Sequence, residues 1–324
     1  MKPKDTTFFA KEGFVVVALA WVVMSLLGAL PFMFGGGFTN YMDAVFETAS
    51  GFTTTGATVL SGGISAIPHG IGFWRCFIIF IGGMGVLVFV MAVLPLSKER
   101  SMYLMRAEVP GPSVGKLVAK AKDTALILYS IYFALMVLMA VMLLFGGMNV
   151  YEAFTTALST AGTGGFGIKN ASIAAYQSRY LQTVIAVFMM LFGVNFNVYY
   201  FILIGKGAQA LKGEEFRAYI GMVIAGTLMI ALNILPLYGN SFAQALHQSF
   251  FQVSSIISTT GFATADFDKW PEFSRMILMA LLISGASAGS TAGGIKVARI
   301  VMLFKGLKAE VMRAVKPRRV VTIC

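Results

Sequence analysis

The sequence predicts an all-α integral membrane protein made of tandem repeats that share one orientation. Three observations predict it. The 324-residue chain is 57% apolar and only 12% charged, with a mean hydropathy of +0.80, whereas soluble domains carry about a quarter charged residues. Six apolar runs are long enough to cross a bilayer, at 14–34, 76–96, 124–146, 181–204, 218–238 and 274–304. Three stretches rich in Gly, Thr and Ser lie each between an outgoing and a returning run: "FETASGFTTTG" from Phe46, "FTTALSTAGTG" from Phe154 and "FQVSSIISTTG" from Phe251.

The first run, Phe14 to Phe34, is too long for a signal-peptide core and reads as a retained span. Lys and Arg then gather in alternate connections. Lys2, Lys4 and Lys11 precede the first run. Lys98, Arg100, Arg106, Lys116, Lys120 and Lys122 follow the second, and Lys206, Lys212 and Arg217 follow the fourth. Another basic cluster begins at Lys296, whereas only Arg75, Lys169, Arg179, Lys269 and Arg275 lie in the other connections or at their edges. This bias predicts a multi-pass protein of the cytoplasmic (inner) membrane with both termini in the cytoplasm. The net charge of +11 is therefore a topology signal, not a nucleic-acid footprint, and the basic face suits anionic membrane lipid or an acidic partner. Cys76 and Cys324 make no disulfide framework.

The repeating unit is a span, a short apolar half-helix, a Gly/Thr segment and a second span. It predicts pore repeats over 1–122, 123–214 and 215–324, the last with an interrupted helix and a basic tail. Two spans per unit make the repeats parallel, unlike the inverted repeats of many secondary transporters. The segments 41–50, 150–159 and 244–258 are too short to cross and read as re-entrant half-helices on the charge-poor outer side. Asp43 and Glu152 lie near the starts of two of them, where the helix dipole favours acid, and Glu47 lies within the first. In each motif a Phe precedes a Gly by ten residues, which marks Gly56, Gly164 and Gly261. Taken singly, each motif fits an ordinary small-residue helix contact. Three in register on one side point to a shared polar axis, because irregular backbone at membrane depth must be buried or line water.

The half-helices direct the partial negative charge of their C-termini at that axis. Gly permits backbone angles that other residues resist, and rings of carbonyls replace the water shell of a dehydrated monovalent cation. The Gly/Thr segments that follow the half-helices hold no carboxylate, which favours K⁺-like over divalent ions.

"SGASAGSTAGGIK", 284–296, interrupts the sixth run. It lacks the phosphate-binding spacing G-x-x-x-x-G-K-[ST]. It reads as a kink between two helix halves or, more pointedly, as a movable loop beneath the third Gly/Thr segment that blocks or opens the path. His69 and His247 fit no metal spacing, and no nucleophile–base set is present, so the chain reads as a transporter and not an enzyme. Asn195 and Asn197 lie mid-membrane in the fourth run, suited to bonds across helices or to the pore. "NAS" at 170–172 matches a glycosylation acceptor and carries little weight.

"GFTTTGATVL", "TAGTGGFG", "STTGFATADFDKWP", "GASAGSTAGGIKVARI" and "RAEVPGP" resemble the Trk/Ktr/HKT superfamily of potassium transporters, closest to TrkH-like membrane subunits. The resemblance implies membrane–pore-loop–membrane repeats as in potassium channels, three of an expected four, around one K⁺ path. Carried over, the filter would use Thr54, Thr55 and Gly56; Gly162, Thr163 and Gly164; and Thr259, Thr260 and Gly261, with Gly165 competing with Gly164. Gly at every filter position goes in this family with K⁺ preference, whereas Ser in the first repeat goes with Na⁺ transport in some plant members. The loop 285–294 would be the intramembrane gate, with Gly285, Gly289, Ser290, Thr291, Gly293 and Gly294, and with Lys296 just after it as part of the same site. Ala292 departs from the more usual Gly there. The resemblance further implies a homodimer and a cytosolic nucleotide-binding regulatory subunit, with K⁺ as the transported ion and no organic cofactor.

By the spacing seen, a fourth motif would fall near about residue 360, past Cys324, and with it the family's basic gate-locking residue. An extra N-terminal helix pair of TrkH-like members has no counterpart either. These departures lead to the expectation of a fragment, or of a chain that needs a partner to close the path. A secondary transporter of a small solute is the alternative; parallel repeats and the expected lack of membrane-embedded charge pairs weigh against it.

Overall fold

The structure is a computed structural model that describes residues 10–60, 63–64, 67–85 and 121–315. The second half of the run 76–96, the basic stretch after it with "RAEVPGP", Lys2, Lys4 and the tail from 316 lie outside the described residues.

Repeat 1 begins with α1 (Ala10–Gly28) and α2 (Leu30–Phe34). Together they form a 21-residue apolar stretch from Phe14 to Phe34, long enough to span. The half-helix α3 (Tyr41–Phe52) starts where the Asn40 side chain accepts the Met42 N–H at 3.0 Å. The outgoing α4 (His69–Gly83) starts directly after Pro68, seven residues earlier than the apolar run. That shift draws Arg75 out of the connection and into the helix.

Repeat 2 comprises α5 (Ala121–Phe145), the half-helix α6 (Val150–Ala161), α7 (Arg179–Phe192) and α8 (Phe196–Leu203). Asn149 caps α6 by accepting the Glu152 N–H at 2.8 Å. The run 181–204, expected as one continuous span, is bent by 92° between α7 and α8. Gly193 ends α7, and Asn195 caps α8 by accepting the Asn197 N–H at 3.0 Å. A Cβ at Gly193 would stand 2.4 Å from the Tyr219 hydroxyl, so a larger residue there would displace that side chain. Asn195 thus serves its own helix start, and among the described residues no side-chain hydrogen bond of Asn195 to another span is seen.

After α9 (Gly207–Leu211), repeat 3 runs through α10 (Glu214–Ile234), the half-helix α11 (Phe242–Ile257), α12 (Glu272–Ser284) and α13 (Val297–Val315). The interruption expected in the sixth run separates the last two.

Each half-helix packs between the helices of its own repeat, and those of repeats 2 and 3 also touch the outgoing helix of the repeat before: α6 touches α4, and α11 touches α7. Packing, not exclusion from water, drives such contacts in lipid, and small residues let backbones approach. Ala44, Ala153, Ala157, Ala161 and Ala245 are accordingly fully buried on the half-helices. Leu19, Leu232, Met276 and Leu303 point outward, as lipid-facing side chains do.

Candidate cation pathway and gate loop

The three Gly/Thr segments share one backbone course. Two residues beyond each half-helix stands a Thr in the left-handed region: Thr54 at φ 54°, Thr163 at 53° and Thr259 at 55°. Two residues further stands a left-handed Gly: Gly56 at 75°, Gly165 at 70° and Gly261 at 84°. The residue between them, Thr55, Gly164 or Thr260, keeps a negative φ. Its N–H donates to the carbonyl of Ser50, Ser159 or Ser255, at 2.8, 3.2 and 2.9 Å. Alternating hand along a strand lets successive carbonyls turn toward one side, as in the carbonyl rings that replace the water shell of K⁺.

This geometry resolves the competition in repeat 2. Gly165, not Gly164, stands in register with Gly56 and Gly261. Gly164 corresponds to Thr55 and Thr260, and Gly162 to Thr53 and Ser258. The ten-residue Phe–Gly offset therefore misplaced the second motif by one residue. Phe46 and Phe251 lie six residues before their helix ends, but Phe154 lies seven. Phe46 and Phe154 face outward while Phe251 is buried, so the shared Phe has no common task.

The segments lean on one another in chain order. A Cβ on Gly56 would stand 2.0 Å from the Gly164 carbonyl oxygen, and one on Gly165 would stand 2.0 Å from that of Thr260. At Gly261 no described atom comes within 4 Å of that position. Among the described residues the three segments form an arc, with Thr53, Thr55 and Ala57 exposed on the flank of repeat 1.

The loop 285–296 lies against the helix ends of segments 2 and 3. The Thr163 hydroxyl donates to the Thr291 carbonyl at 3.0 Å, and the Gly293 N–H donates to the Thr259 hydroxyl oxygen at 2.7 Å. The bend in repeat 2 holds the other side. Ser287 N–H donates to Gly193 O at 3.0 Å, Phe196 N–H to Gly289 O at 3.1 Å, and the Thr291 hydroxyl to Phe192 O at 3.2 Å. The loop closes on itself through Lys296 N–H to Ser284 O at 3.0 Å and the Ser290 hydroxyl to Ser287 O at 2.5 Å. Gly285, Gly289, Gly294 and Lys296 all take positive φ. Two charged side chains clamp it. Glu215 accepts the Ala288 N–H at 2.5 Å, and the buried Lys296 ammonium donates to the Ala292 carbonyl.

The family model for TrkH, described as a cation transport protein, matches residues 1–324. The chain belongs to the TrkH family. It is 38% identical over 320 residues to the Trk system potassium uptake protein TrkH of Escherichia coli (strain K12), covering 97% of this chain and 66% of that protein. It is 30% identical over 316 residues to the Trk system potassium uptake protein TrkG of the same organism, covering 97% of this chain and 65% of that one. The crystal structure of the potassium transporter TrkH from Vibrio parahaemolyticus matches with a TM-score of 0.84 at 33% identity, over 100% of this chain and 67% of that one. The chain thus spans about two thirds of the length of the curated relatives it matches.

Within this TrkH-family chain, three groups of residues escaped the sequence reading. Ser50 and Ser255 donate their hydroxyls to the carbonyls of Ala57 and Phe262, each at 2.6 Å, and so pin the residue after the left-handed Gly. In repeat 2 the Ser159 hydroxyl has no hydrogen-bond partner among the described residues. There the Phe166 carbonyl takes the Cys76 thiol at 3.6 Å. A Ser six residues before each left-handed Gly was the available signal. Glu47 and Arg75 form an ion pair at 2.7 Å with both side chains fully buried, which corrects the expectation that no membrane-embedded charge pair exists. Glu215, in the first turn of α10, is the third, and no motif in the sequence marks it. The histidines make contacts between repeats: a His247 ring nitrogen shares a hydrogen bond with Gln182 at 2.8 Å, and the His69 ring lies edge-on to Tyr151.

Proposed function

We propose that this chain forms most of a K⁺ uptake protein, in which the three Thr-x-Gly segments line the ion path and the loop 285–296 gates it. The observation that carries this reading is the threefold recurrence of one unusual backbone: a left-handed Thr two residues past a half-helix and a left-handed Gly two residues later. Non-glycine residues adopt that region at a cost of about 1–3 kcal/mol, and three at equivalent places imply a use. Carbonyls gathered at the C-termini of three half-helices suit a monovalent cation shed of its water. Family membership supports K⁺ as the ion.

The pore repeats are 1–122, 123–214 and 215–324, and a fourth segment closes the arc beside Gly261, supplied by further chain or by a partner. The site is the inner membrane with both termini cytoplasmic, in keeping with the distribution of Lys and Arg. A homodimer and a cytosolic nucleotide-binding regulatory subunit are the partners the family suggests, and the basic face suits anionic lipid. The buried Glu47–Arg75 pair does not revive a solute transporter, because its polar atoms are bonded within the protein.

The test is K⁺ uptake by the complete assembly in cells lacking their own K⁺ uptake. Gly56→Asp is expected to abolish selectivity or transport. Unaltered uptake and selectivity at normal membrane abundance would refute the filter assignment.

A further inference from the structure

Glu47 and Arg75 do more than neutralise each other. Glu47 Oε1 accepts from Arg75 Nε at 2.7 Å and from the Thr58 hydroxyl at 2.9 Å, and Oε2 accepts the Val59 N–H at 3.1 Å. The carboxylate therefore holds the strand just beyond Gly56. Arg75 reaches the other way. Its Nη1 donates to the Gly167 carbonyl at 3.3 Å, and its guanidinium lies 4.1 Å from the centre of the Phe166 ring. It therefore grips the strand just beyond Gly165. One buried pair thus links the exits of two neighbouring segments.

The other repeats explain why the link is needed. Five residues before each half-helix end stand Glu47, Thr156 and Gln252. Gln252 secures its own exit strand by donating to the Ala265 carbonyl at 3.1 Å. Among the described residues Thr156 makes no such bond, and the nearby Ser159 hydroxyl is without a partner. Segment 2 is instead anchored from the repeat before it, by Arg75 and Cys76, which are adjacent on α4. A buried ion pair adds little net stability and finds its best use in fixing position.

We propose that Glu47 and Arg75 are positioning residues that set the spacing between the first two filter segments, and through it the discrimination between K⁺ and Na⁺. The proposal rests on the reading of those segments as a K⁺ filter. It goes beyond that reading by assigning selectivity to two residues that touch no ion.

The experiment measures the K⁺-to-Na⁺ uptake ratio and the membrane abundance of the complete protein for Arg75→Lys, Glu47→Gln and the double variant Glu47→Leu with Arg75→Met. Arg75→Lys keeps the charge but loses the fork that reaches Gly167. Each variant is expected to lower the ratio about tenfold, the equivalent of one charge-assisted hydrogen bond. The double variant is expected to accumulate normally, because apolar pairs replace buried ion pairs without loss. An unchanged ratio in any variant at normal abundance would overturn the proposal. Loss of all three from the membrane would equally overturn it, by making the pair a folding requirement. A wild-type protein that fails to distinguish K⁺ from Na⁺ would defeat the filter reading itself, a separate outcome.

Discussion

Thr54, Thr163 and Thr259 each hold a backbone that a β-branched residue resists, and each is followed two positions later by a Gly for which that backbone is easy. Gly165 differs from its neighbour Gly164 on this point. A side chain at Gly165 would meet both a positive φ and the Thr260 carbonyl at 2.0 Å, whereas one at Gly164 would press only on the Ile79 side chain at 2.8 Å. Gly165→Ala is therefore expected to reduce K⁺ uptake at least about tenfold more than Gly164→Ala, from roughly 1–3 kcal/mol of strain. Uptake assays at matched abundance check this, and equal effects would move the register back by one. The sequence showed that Gly and Thr gather at these places. It did not show the register in repeat 2, because a Gly doublet offers two positions and only backbone angles separate them. Nor did it show the Glu47–Arg75 pair, whose members lie 28 residues apart and meet only once α4 packs against α3.

At the scale of elements, the proposed gating rests on the loop 285–296 and on the bend at 193–195 that holds it. The loop is bonded to Thr163, Thr259 and the bend, so its displacement must break a defined set of bonds. Thr163→Val removes the hydroxyl that donates to Thr291 O, and Glu215→Ala removes the acceptor for the Ala288 N–H. Each such bond contributes about 1 kcal/mol, so each variant is expected to raise K⁺ flux about fivefold if the loop obstructs the path. Removal of residues 285–292 is expected to raise it further. Flux ratios from initial uptake rates are the check, and lower flux at normal abundance would make the loop a support and not a gate. The sixth run's break was legible from its density of Gly and Ser. The fourth run's bend was not, because one Gly and two Asn residues within an apolar stretch look like a continuous span until Tyr219 and Ala286 are seen to crowd Gly193.

At the scale of the whole molecule, the half-helices sit inside and the long helices face lipid. A charge on the outer surface should therefore cost insertion rather than selectivity. Leu232→Arg, on the exposed face of α10, is expected to lower membrane abundance in line with about 2.5–3.5 kcal/mol for Arg within a span. The K⁺-to-Na⁺ ratio of the protein that does insert should not change. Quantitative blotting with uptake per molecule checks both halves of that statement. Helix class, parallel repeats and half-helices were legible at this scale because composition and run length report them directly. The order of the segments around the axis was not, since it depends on which carbonyl each Gly approaches.

The central claim is that carbonyls of the three Thr-x-Gly segments coordinate the transported ion. The most direct measurement is the anomalous scattering of Tl⁺ or Rb⁺ in crystals of the complete protein. The account requires ion density on the axis between the segments, at coordination distance from carbonyl oxygens of Thr54 to Gly56, Thr163 to Gly165 and Thr259 to Gly261. Ordered ions found elsewhere in the membrane region, with none on that axis, would contradict it.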